Sequence, residues 1–147
     1  SHACAMLATS HFAKGDCSEA IRMYDRALAE RHNAIVAMNG KAWVLATCRN
    51  ENMRNGEVAV QLAKSASRLL KDEFWATLAT LGAAHAEASQ FDEAVKWQRK
   101  AIDLAPKGKK ERLEKALKLY ESETPFRSQP GEDLPPWDWG MEFALPG

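Results

Sequence analysis

The chain has 147 residues, and its 20 basic and 20 acidic side chains cancel formally, which removes the long-range field that a general nucleic-acid or anionic-membrane binder relies on. No stretch approaches the roughly 20 apolar residues of a membrane-spanning helix. Three cysteines, an odd number, in a chain with this much helical pattern read as buried free thiols in a reducing compartment rather than as a disulfide framework.

The first helix is expected over residues 3–14, with Ala3, Met6, Leu7 and Ser10 at spacings of three and four before Gly15 ends it. Asp16 can cap the second helix and Glu19 can complete a reciprocal box, ahead of a stripe made by Cys17, Ala20, Ile21, Tyr24, Ala27 and Leu28. A third helix runs from about Ile35 to Cys48 with Trp43, Leu45 and Ala46, and the polar stretch Arg49–Gly56 makes a longer turn. The fourth takes Val58, Ala59, Leu62, Ala63, Ala66 and Leu69; Asp72 is the expected cap of the fifth, which carries Trp75, Leu78, Leu81, Gly82 and His85. Ser89 or Gln90 turns the chain, and a sixth helix runs to Ala105 before Pro106 stops it. Leu113, Ala116, Leu117 and Tyr120 make a seventh helix with one apolar face and no partner after it, the form of a solenoid cap.

The helices repeat. Ala20, Ala59 and Ala94 are 39 and 35 residues apart, and Ala27, Ala66 and Ala101 keep those spacings. A period near 34 residues with small side chains across one helix face is how a helical solenoid reads in sequence. The fold class expected is therefore all-α: three hairpins at about 1–34, 35–71 and 72–108, a capping helix at 110–121, and an extended tail at 124–147 whose prolines, Pro125 to Pro146, forbid a long helix.

The residues that recur in order name a resemblance. Leu7, Ala8, His11, Ala20, Tyr24 and Ala27, and later Leu78, Leu81, Gly82, His85, Ala94, Ala101 and Pro106, make the chain resemble the tetratricopeptide-repeat family over about residues 1–123. The phrases Ala42–Cys48, Arg54–Gly56 and Ala83–Ala88 look like a bacterial, planctomycete-type subgroup of it. The resemblance implies a right-handed superhelix whose first helices line a concave groove that binds peptides or protein segments. The family's carboxylate-gripping lysines and asparagines have Ala5 and Thr9 at the corresponding early positions, and the fifth helix presents Ala76, Ala79, Ala83 and Ala86, which argues against a chaperone-tail clamp.

No short motif brings a nucleophile and a base together, so no catalytic residue, cofactor or metal is expected. His2, Cys4, His11 and Cys17 do not form a compact ligand pair, and His11 and His85 read as packing residues at matching repeat positions. The basic run Lys107, Lys109, Lys110, Arg112, Lys115 and Lys118 lacks interleaved aromatics, so it reads as a solvated face rather than a nucleic-acid surface. The expected function is a non-enzymatic module that binds an unidentified protein or peptide, with an accessory or regulatory domain of a larger enzyme or signalling protein as the alternative and a nucleic-acid-associated protein as a distant one. The expected groove comprises Phe12, Asn39, Trp43, Asn50, Ala76, Ala79, Ala83 and Ala86. Trp137, Trp139, Met141 and Phe143 of the tail are expected to dock on a repeat surface, in the same molecule or in a neighbour, drawn by the acidic tail facing the basic run. The N-terminus lacks the pattern of a signal peptide; the expectation is a cytoplasmic protein, with an upstream signal or further domain left open.

Overall fold

The computed structural model describes residues 2–30 and 34–129, with side chains in the first helix from Cys4 onward. Among these residues the chain forms seven helices and no strand: α1 (His2–Ala13), α2 (Cys17–Ala29), α3 (Ala34–Thr47), α4 (Gly56–Leu69), α5 (Trp75–Glu87), α6 (Phe91–Leu104) and α7 (Lys110–Glu121), with 3-10 turns at Glu51–Met53 and Lys107–Lys109. Consecutive helices pack antiparallel as three hairpins, α3 also lies along α5, and α7 packs on α6. This is the stacked-hairpin architecture that the alanine period implies.

The repeated alanines explain the stacking. Ala20 and Ala27 of α2, Ala59, Ala63 and Ala66 of α4, and Ala94 and Ala101 of α6 are all completely buried, so the second helix of each hairpin approaches its neighbours with almost no side-chain spacer. Rings fill what remains: Tyr24 is buried between α1, where its hydroxyl meets Thr9 Oγ1 at 2.9 Å, and α3. The α3 residue facing that ring is Gly40, where a Cβ would overlap the phenol. α5 sits at the centre, and every residue from Trp75 to Ala86 is buried.

Four helix ends share one device. After α1, α4, α5 and α7 the chain passes through a left-handed residue, Gly15, Lys71, Ser89 or Glu123. The next amide then reaches back five residues, in Asp16 N to His11 O, Asp72 N to Ser67 O, Gln90 N to His85 O and Thr124 N to Leu119 O, at 2.8–2.9 Å. These are Schellman-type ends that satisfy carbonyls left without an intrahelical donor. At the α1–α2 turn the same bond modifies the expected capping box. Asp16 accepts from Glu19 N at 3.1 Å, but the Asp16 N–H is already taken by His11 O, so the Glu19 carboxylate turns to Arg22 instead.

Three sequence expectations are corrected. Met6 and Leu7 are 62% and 51% exposed, while Cys4, Ala5, Ala8 and Phe12 form the buried face of α1; among the described residues α1 packs chiefly on α2 and α3, which selects a narrower stripe than its composition suggests. Asp72 does not cap α5: it lies in the left-handed turn after α4 and accepts from Ser67 Oγ at 2.6 Å, and α5 begins at Trp75 with Phe74 as its uncapped boundary. Cys17 and Cys48 are not free thiols but are joined in a disulfide, with Cα atoms 6.5 Å apart, a separation that the bond's geometry allows. Its cause is helix register. Gly40 faces Tyr24, and Lys41 Nζ meets Asp25 Oδ1 at 2.5 Å across the same pair of helices. Continuing that antiparallel register brings Cys17, at the start of α2, beside Cys48, just past the end of α3. Cys4 remains a buried thiol.

Candidate binding face

Trp43, Ala46 and Thr47 lie at helical spacing on α3, and Asn39 is one turn earlier on the same stripe. Beside them α5 contributes Ala79 and Glu87, and α7 closes the far side with Leu113, Ala116 and Tyr120. Across this face runs the chain's own segment, residues 124–129. Glu123 reverses the direction of α7, Pro125 keeps the chain extended, and Phe126 then stacks on Trp43 with ring centroids 5.6 Å apart and planes tilted by 46°.

The next two residues are held by polar bonds. Arg127 pairs with Glu87 at 2.7 Å (Nη2 to Oε1), while its Nη1 donates to Phe126 O at 3.0 Å and to Ala46 O at 3.4 Å. Ser128 is buried; its amide donates to Thr47 O at 2.9 Å and its Oγ lies 2.6 Å from Thr47 Oγ1. Thr47 Oγ1 is itself oriented by donating back to Trp43 O at 2.7 Å. Glu87 has a second arginine: Arg54 Nε sits 3.2 Å from Oε2, and Arg54 Nη1 donates to Cys48 O at 2.8 Å. Two guanidiniums therefore flank one carboxylate at the C-terminal end of α3, where the helix dipole adds partial negative charge.

The structure treats the expected groove residues unequally. Trp43 and Ala79 come together beside Phe126. Asn39 is completely buried, and neither amide atom has a hydrogen-bond partner among the described residues. Ala76, Ala83 and Ala86 are buried in α5, and Phe12 is packed in the core. Asn50 lies beyond α3 and is exposed, its Oδ1 accepting from Asn52 N at 3.1 Å to cap the 3-10 turn. Trp137, Trp139, Met141 and Phe143 fall outside the described residues. Glu132, Asp133, Asp138 and Glu142, the acids on which the expected attraction to the basic run rests, likewise fall outside the described residues; within residues 124–129 the ionic contact to the body is made by Arg127 with Glu87. Thr47, Glu87, Arg127 and Ser128 were missed by sequence reasoning. No local signal marks them, since the contacts join residues 81 apart in sequence.

The remaining candidates are structural. His85 is buried, its Nδ1 lies 2.7 Å from Gln90 Oε1, and Nε2 has no partner among the described residues; burial holds its pKa below the ordinary histidine value. Gln90 Oε1 can only accept, so the Nδ1–H tautomer fits. Because the folded pKa is depressed, the unfolded chain binds a proton that the native state refuses once the pH drops below about 6.5. Stability from this group is present above that pH and is lost as the pH falls through the folded pKa. Melting temperature measured from pH 7.5 to 5 is expected to fall more steeply for the unaltered chain than for His85→Gln; parallel curves would remove His85 as the cause.

Trp97 is half-buried, donates from Nε1 to Glu93 Oε2 at 3.1 Å, and has Lys96 and Lys100 over its ring at 4.7 and 5.8 Å, a surface cation–π stack rather than a ligand contact. Among the described residues no cluster of histidine, cysteine or carboxylate is placed to hold a metal, and no helix is long and apolar enough to cross a membrane.

A family model described as tetratricopeptide repeat matches residues 76–105, the hairpin of α5 and α6 that ends just before Pro106. That match supports the tetratricopeptide-repeat family, whose fold is typically a non-catalytic scaffold for protein–protein interaction. No curated protein and no solved structure matches the chain.

Proposed function

We propose that the protein is a non-enzymatic interaction module that takes an extended protein segment on the face formed by α3 and α5, with residues 124–129 of its own chain as a competitor. What carries the reading is the Ser128 amide bonded to Thr47 O at 2.9 Å beside the Phe126–Trp43 stack: main-chain bonding plus a side-chain pocket is how extended segments are held. Trp43 and Ala79 are the groove residues we assign to ligand contact, and an external segment displaces Phe126 to reach them. Within the family we place the chain in the bacterial subgroup suggested by Ala42–Cys48 and Ala83–Ala88.

The test is selection of random displayed peptides on the full chain carrying Phe126→Ala and Arg127→Ala, which vacates the face. Selected peptides are expected to be competed away by a free peptide of residues 124–129. Binders that ignore this competitor would put the interface elsewhere on the molecule.

A further inference from the structure

The end of α3 is incomplete without a second segment. Leu45 O is taken by Asn55 N at 2.9 Å and Cys48 O by Arg54, whereas Ala46 O and Thr47 O receive their donors from Arg127 and Ser128, 81 residues away in sequence. Terminal carbonyls carry the negative end of the helix dipole, and Glu87 adds a full charge of which Arg54 occupies only one oxygen. The other oxygen, Oε1, points to the incoming segment and is met by Arg127.

We propose that this face reads one chemical class of partner: an extended segment carrying an aromatic residue, an arginine and a small hydroxyl residue in succession, for which Phe126–Arg127–Ser128 is the built-in mimic. The proposal rests on the reading of the protein as an interaction module and specifies what it recognises. Each position has a physical selector. The aromatic is chosen by Trp43 and by the space that Ala79 and Ala116 leave beside it. The arginine is chosen because one planar fork reaches Glu87, Ala46 O and Phe126 O together, which a lysine ammonium on its single stem does not reproduce. The Glu87 and Arg127 side chains are 16% and 27% exposed, so their pairing is screened less than that of a surface pair. The hydroxyl residue is chosen by Thr47 Oγ1 at 2.6 Å in a buried position, where a bulky side chain would clash. A phosphorylated serine is rejected there, since a dianion would face the α3 carbonyls and Glu87.

The experiment titrates a labelled peptide of residues 124–129 into the full chain and into full-length Phe126→Ala/Arg127→Ala, reading fluorescence anisotropy. A tethered copy competes at an effective concentration on the order of millimolar, so the variant is expected to bind about tenfold tighter than the unaltered chain. Peptides with lysine in place of arginine, or with phosphoserine in place of serine, are expected to bind the variant about fivefold and about tenfold more weakly, the losses a broken fork and a like-charge clash imply. Glu87→Gln in the host is expected to weaken the arginine peptide by a similar about fivefold and to leave the lysine peptide nearly unchanged, a coupling that a general loss of folding would not give. Arg127→Glu, which keeps the Phe126 side chain in the sequence but turns the Glu87 pairing into a like-charge repulsion that releases the segment, serves as the vacated host if the double variant melts early. Equal binding of the native and scrambled peptides, with other displayed sequences still competing for this face, would overturn the triplet and leave the interaction module standing. Failure of every extended peptide to bind this face would overturn both.

Discussion

Reducing the Cys17–Cys48 bond is expected to destabilise the protein by about 3 kcal/mol, because it releases a cross-link between residues 31 apart in sequence and restores loop entropy to the unfolded chain. For a chain of this length that corresponds to a fall of roughly 6–12 °C in melting temperature. The effect also has a place. Cys48 follows Thr47, whose carbonyl and hydroxyl hold Ser128, and its own carbonyl accepts from Arg54. Loss of the cross-link therefore loosens the end of α3 on which the segment rests, and Trp43 fluorescence is expected to shift as Phe126 leaves its ring. Calorimetry with and without a phosphine reductant, together with the Cys17→Ser/Cys48→Ser double variant, measures both. Two alkylatable thiols at these positions in the oxidised protein, or unchanged melting on reduction, would sink the assignment.

Gly40→Ala is expected to destabilise by about 2 kcal/mol, the cost of overpacking a well-filled contact, even though alanine in place of glycine favours an isolated helix by about 1 kcal/mol. The added methyl group has no open space: it would meet the Tyr24 ring and hydroxyl. Tyr24 cannot swing away cheaply, being buried and bonded to Thr9. Moving it also disturbs the α2–α3 register that brings Cys17 to Cys48. A smaller residue at the same place makes the diagnosis specific. Tyr24→Leu should cost stability alone, yet the Gly40→Ala/Tyr24→Leu pair should be more stable than the sum of the two losses implies, since residues in contact are not additive. Urea unfolding of the four proteins gives the cycle; a stabilised Gly40→Ala would mean that helix propensity alone governs the site.

The sequence by itself determined the helices, their number and their pairing. Those depend on local facts: small residues at 39- and 35-residue spacings, a left-handed residue after Phe91's predecessor helix and after α1, and Pro106 past α6. The family match over residues 76–105 falls on one of the two hairpins whose repeat residues are clearest in the sequence. Trp43 was legible as a candidate because a large ring stood on an inner helix, although its stacking partner was not.

Tertiary structure alone decided the rest, because each remaining feature joins residues that no local period connects. The disulfide depends on the register of α2 against α3, a relation between two hairpins rather than within one. The exposure of Met6 and Leu7 depends on how many neighbours α1 has, and the burial of Ala76, Ala83 and Ala86 on what lies over α5. The binding face depends on a reversal at Glu123 that carries Phe126, Arg127 and Ser128 back to a helix 81 residues earlier. The ionic contact of residues 124–129 is made by Arg127 with Glu87, a pairing that the charge composition of the tail does not reveal. Net charge sums a segment, but a salt bridge is set by the one side chain that the backbone delivers within reach.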